Sequence, residues 1–76
     1  MDREWLKHAV AHAEHLVATT SQQVETMRKN IASRLRDGFD CKQAMEYLRA
    51  AERTLEAHIS QRDRLIGELR LLDDAM

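Results

Sequence analysis

Proline is absent from this 76-residue chain, glycine occurs only at Gly38 and Gly67, and there is one each of Cys, Trp, Tyr and Phe. With so little punctuation there is nowhere to separate a second unit, and one domain spanning residues 1–76 is expected. Alternating runs of β-branched and aromatic residues are missing too, which leaves no strand signal. The lone Cys41 excludes an internal disulfide and fits a reducing compartment; it reads as a packing residue. No apolar run approaches the roughly 20 residues that a membrane span requires. The opening Met1-Asp2-Arg3-Glu4-Trp5 carries acids and lacks the apolar core of a signal peptide, so a cytoplasmic protein without a membrane partner is expected. An excess of one charge is also lacking. Twelve Lys and Arg face thirteen Asp and Glu, with six basic to five acidic before Gly38 and six to eight after it. Such a balance argues against a general affinity for nucleic acid or anionic lipid.

What is present is the composition of long solvated helices: 33% charged and 43% hydrophobic residues, with Leu, Ala, Glu, Arg and Gln prominent. The fold class expected is all-α. Its organising stretch is Arg36-Asp37-Gly38-Phe39-Asp40. Gly38 suits the position just past a helix end, where the backbone turns left-handed and a Cβ would clash. Phe39 follows where such an ending places an apolar residue back on the last turn, and Asp40 with Gln43 makes a capping box for a new helix. Asp37, Gly38, Phe39 and Asp40 therefore form a turn between helices of about 2–37 and 41–74. So short a connection folds them antiparallel, as an αα-hairpin.

On the first helix Leu6, Val10, Ala13, Val17, Thr20, Val24, Met27 and Ile31 alternate at spacings of three and four, a coiled-coil seam of about four heptads. Ala9, Leu16 and Leu35 widen it. Asp2 can cap the start, with Glu4 in the first turn, and Lys29, Arg34 and Arg36 gather where the helix dipole favours cations. On the second helix the seam is Cys41, Ala44, Leu48, Ala51, Leu55, His58, Arg62, Leu65, Leu69 and Leu72, broadened by Met45, Ile59 and Ile66. Arg64 with Glu68 and Arg70 with Asp74 are expected as surface pairs along the helix. Gly67 lies opposite the seam, either a close approach or simply tolerated at a cost of about 1 kcal/mol relative to Ala.

Two features break the pattern. His58 and Arg62 occupy seam positions where Leu belongs, and folding at Gly38 brings His58 near Thr19 and Thr20 and Arg62 near His15 and Leu16, with Glu14 and Asp63 available as counter-charge. A polar layer of this kind in a helical bundle fixes register and partner number. On the outer face of the first helix, Trp5, His8, His12 and His15 recur at helical spacing, and from His8 to Val24 only Glu14 is charged. So bare a face points to contact with another protein. The same imidazoles could converge on a metal ion. They lack the carboxylates that normally orient such ligands, so no metal and no cofactor is expected.

The apolar faces span three or four heptad positions, wider than a single neighbouring helix covers. A homodimer, closing as a four-helix bundle about a two-fold axis, is the expected form. The pattern Ala13-Glu14-His15, Leu35, Asp37-Gly38-Phe39-Asp40, Ala44, Leu48, Glu52, His58, Arg62-Asp63-Arg64-Leu65 and Glu68-Leu69 resembles a group of small uncharacterised helical proteins of rhizobial-type alphaproteobacteria. That resemblance implies no activity. In shape the hairpin is also similar to the plasmid-encoded Rop RNA-binding dimer, an analogy of fold alone.

Three functions compete. The first is a non-enzymatic protein-protein interaction module, a small regulator or adaptor, with Trp5, His8, His12 and His15 as the docking face. The second is a Rop-like RNA-binding dimer using Arg28, Lys29, Arg34, Arg36 and Lys42 near the turn. The third is metal binding by the histidines. No catalytic residues are assigned, because nucleophile, phosphate-cradling glycine loop and carboxylate dyad are all missing.

Overall fold

Asp2 takes the capping position: its Oδ1 accepts the amide of Glu4 at 3.2 Å, and Glu4 lies in the first turn, next to the positive end of the dipole. From there the computed structural model, which describes residues 2–75, runs as α1 (Arg3–Arg36), a connection, and α2 (Lys42–Asp74). Among the described residues there is no strand. The molecule is a rod of 59 × 15 × 14 Å, about the length that 34 residues span at ~1.5 Å each.

The connection is a Schellman ending. Gly38 has φ +85°, its amide donates to the Leu35 carbonyl at 3.1 Å, and the Phe39 amide reaches back to the Arg34 carbonyl at 3.0 Å. Two carbonyls left over at the end of α1 are thereby satisfied. Phe39 and Leu35 meet beside Met45 around a shallow hollow, but both remain largely in solvent, so the apolar contact of this ending is incomplete.

The start of α2 departs from the expected capping box. Asp40 does its half, accepting the Lys42 amide on Oδ1 at 3.0 Å. Gln43 does not reach back; its Nε2 points along the helix to the Tyr47 hydroxyl, 3.5 Å away. Cys41 adopts φ −112° and ψ 21° instead of joining the helix, and its side chain is buried with Sγ 4.0 Å from the Ile31 carbonyl oxygen. That inward turn starts α2 one residue later than the sequence suggests and orients the chain for its return.

The seam of α1 is the core. Leu6, Ala13, Thr20, Val24 and Ile31 are buried, and Val10, Val17 and Met27 are half-buried. Leu65 packs with Leu6 and Ala13, with Leu69 and Leu72 against them. Every seam residue of α2 is withdrawn from solvent, yet within the helix only Leu65 is buried, and the others stay half-exposed.

Ion pairs across the hairpin confirm the antiparallel register. Arg3 Nε bonds Asp73 Oδ1 at 2.6 Å near the open end, and Arg28 Nη2 bonds Glu52 Oε2 at 2.6 Å nearer the turn. Both pairs are exposed, where such bridges are worth about 0–1 kcal/mol. The two pairs expected along α2 do not form. Arg64 Nη2 turns back to the Gln61 Oε1 at 2.6 Å, and among the described residues Arg70 and Asp74 make no ion pair. A Cβ at Gly67 would meet nothing within 4 Å, so no close approach within the hairpin accounts for that glycine.

Candidate interaction surfaces

Helical periodicity places Trp5, His8, His12 and His15 together on the solvent side of α1. Trp5 is 54% exposed and the three histidines are exposed with it. None of these side chains is engaged in a hydrogen bond or ion pair among the described residues. An indole presented this way offers a large rigid apolar surface with a single donor, the kind of group that anchors protein contacts. No group of three or more His, Cys, Asp or Glu among the described residues is placed to hold a metal ion.

Of the residues expected to form a polar layer, Thr20 lies on α1 and His58 and Arg62 lie on α2. Thr20 is buried at 8% exposure, and His58 and Arg62 are half-buried. The Arg62 guanidinium is held by its neighbour Asp63, with Nη2 and Nε donating to Oδ1 at 3.0 and 3.1 Å. One of the two acids expected to balance Arg62 therefore does so within the chain. Glu14, the other, is exposed and carries no ion pair among the described residues.

The basic residues near the turn split into two groups. Arg28 is taken by Glu52, and Lys29 Nζ lies 3.4 Å from Glu25 Oε1. Arg34, Arg36 and Lys42 are exposed and without ion pairs among the described residues. Beside them a hollow of about 180 Å³ is lined by Met27, Asn30, Ile31, Arg34, Ala44 and Tyr47. It falls short of the roughly 300–1,000 Å³ usual for small-molecule sites.

The two flanks of the hairpin differ. The residues four places after Val10, Val17, Val24 and Ile31 are Glu14, Ser21, Arg28 and Leu35; those four places after Cys41, Leu48, Leu55 and Arg62 are Met45, Glu52, Ile59 and Ile66. The Arg28–Glu52 bond and the hollow shared by Leu35 and Met45 put both rows on one edge. On the other edge Asn30 and Tyr47 meet, in rows carrying Ala9, Leu16 and Gln23 on α1 and Thr54, Gln61 and Glu68 on α2. Large aliphatic side chains thus concentrate on the first edge. Width of the apolar stripe was legible in the sequence; which edge it spreads toward depends on the pairing of the helices.

Comparison with known proteins finds no matching family, no matching curated protein and no matching solved structure. No described helix is long and apolar enough to cross a membrane.

Proposed function

We propose that this chain is a non-enzymatic helical interaction module that acts as a dimeric four-helix bundle and docks another protein through the outer face of α1. A small regulator or adaptor built this way uses the bundle as a rigid support and the Trp5 stripe as its contact. The observation carrying the dimer is surface area. The hairpin exposes 5911 Å², whereas a compact monomer of 8.8 kDa exposes about 4,800 Å². The excess, roughly 1,100 Å², exceeds the ~800 Å² that each partner buries in a standard interface. Its radius of gyration, 17.2 Å, is likewise well above the ~11 Å of a compact chain of this length. Half-exposed leucines along α2 supply the apolar part of that area.

The docking face is supported by the bareness of the His8–Val24 stretch and by the exposed indole of Trp5. Capture from a host lysate with the unsubstituted chain and with Trp5→Ala/His12→Ala tests it. The double variant is expected to stay helical and dimeric while losing the captured partner, because both positions lie outside the core. An identical set of captured proteins from the two baits would remove this face from the proposal. A Rop-like RNA-binding dimer draws less support, since Arg28 and Lys29 are already neutralised and Arg34, Arg36 and Lys42 are left to contact phosphate.

A further inference from the structure

We infer that the edge of the hairpin bearing Met45, Ile59 and Ile66 seats a second copy of this chain, with the two turns at the same end of the bundle. The inference rests on the dimer reading above and assigns it a face and a direction. Beneath that edge lie the half-exposed members of the seam, Val10, Val17 and Leu55 among them. In the other row of the α1 seam Leu6, Ala13 and Thr20 are buried and Met27 half-buried, whereas beside this edge Val10 and Val17 are half-buried and Val24 and Ile31 buried. Toward the open end of the rod, the unfinished part of the α1 core therefore opens toward this edge. The opposite edge carries Ala9, Leu16, Tyr47 and Thr54 among amides and Glu68, with fewer large aliphatic side chains for a partner to cover.

The occupant follows from charge. A two-fold axis along the rod brings the α1 row of one protomer against the α2 row of its partner, all neighbouring helices remaining antiparallel. Lys7 then meets the partner's Asp73, Arg28 meets the partner's Glu52, and Leu35 meets the partner's Met45. Glu14 comes level with the partner's Ile66 and Ser21 with the partner's Ile59, the two appositions that match neither charge nor apolarity. Each apposition occurs twice, and opposite charges or apolar groups meet in three of the five. A two-fold axis across the rod instead runs each row against its own copy. Glu52 would then face the partner's Ile66, Met45 the partner's Asp73, and Lys7 the partner's Leu35, each setting a charge against an aliphatic side chain. The reversed direction keeps only Glu14 against the partner's Arg28, with Ile59 and Ser21 against their own copies, so more of the face is complementary with the turns at the same end.

Two measurements test this. Spin labels at Arg36→Cys in a Cys41→Ala chain read the direction with the interface unsubstituted. Dipolar spectroscopy is expected to give a distance below about 30 Å, since a four-helix bundle is only about two helix diameters wide. Labels at opposite ends of the 59 Å rod would overturn the shared-end arrangement. Sedimentation equilibrium reads the face: Ile59→Glu/Ile66→Glu is expected to weaken self-association at least about thirtyfold, the scale of losing one buried anchor. Tyr47→Glu on the opposite edge is expected to leave it unchanged. Dissociation by Tyr47→Glu with persistence of the Ile59/Ile66 variant would place the interface on the other edge while keeping the dimer. An unsubstituted chain that stays monomeric would overturn the dimer itself, and this inference with it.

Discussion

Leu65→Ala is expected to destabilise the protein by about 2–5 kcal/mol, the range for removing a buried leucine side chain. Leu65 is the residue of α2 most fully enclosed, at 7% exposure, and it closes the cluster with Leu6 and Ala13. Its facing partners are small or already packed and have little room to collapse into the space left behind. Domains of this size hold about 5–15 kcal/mol in reserve, so a loss on this scale is a large part of the total. Urea denaturation followed by far-UV circular dichroism at fixed protein concentration reads it as a lower midpoint. Leu71→Ala is the matched control. At 72% exposure Leu71 should change stability by no more than about 0.5 kcal/mol, as surface substitutions do. Equal losses at the two positions would mean that the cluster near the open end is not where the helices are held together.

The second large effect concerns the polar layer. His58→Leu/Arg62→Leu is expected to raise the unfolding midpoint, on the order of 1–4 kcal/mol, and to broaden the distribution of oligomers. Half-buried ionic groups in a seam weaken it relative to leucine, while their need for partners rejects registers that apolar side chains would tolerate. Arg62 depends on Asp63 for its neutralisation, and Thr20 on the α1 seam is buried. Replacing both α2 residues by leucine removes that discrimination. Sedimentation velocity should then show mixed species where the parent shows one. A more stable protein with an unchanged single species would assign the layer no role in specificity, and a less stable one would make it a net stabilising contact.

The turn was the most legible part of the chain. A glycine after an amphipathic stretch of about 35 residues, with an apolar residue behind it, specifies the left-handed ending, and Gly38 adopts it with both characteristic backbone bonds. Seam positions were legible for the same reason: period dictates which side chains share a face, and every residue so placed is buried or half-buried. Contacts whose geometry periodicity does not set were not. Arg64 and Glu68 have the spacing of a helix pair, but Arg64 found Gln61 instead, because on an exposed surface these alternatives differ by only a few tenths of a kcal/mol. Arg3 with Asp73 and Arg28 with Glu52 depend on how two helices slide past each other, which local pattern does not encode. The unequal burial of α1 and α2 escaped notice because a heptad marks an alanine and a leucine alike as apolar, while the depth to which each packs depends on the size of its opposite number. For the candidate surfaces, helical period placed Trp5, His8, His12 and His15 on one exposed face and Met45, Ile59 and Ile66 on one side of the α2 seam; which row of α1 lies beside those three required the helices to be paired first.

The central proposal, that one hairpin leaves too much apolar surface uncovered to remain alone, is tested most directly by sedimentation equilibrium of the unsubstituted chain at micromolar concentration. The expected result is a mass twice the 8.8 kDa of the chain, with a thermal midpoint that rises with protein concentration, as mass action demands of a dimer folded through its interface. A stably helical species of single-chain mass, melting at a temperature independent of concentration, would contradict it.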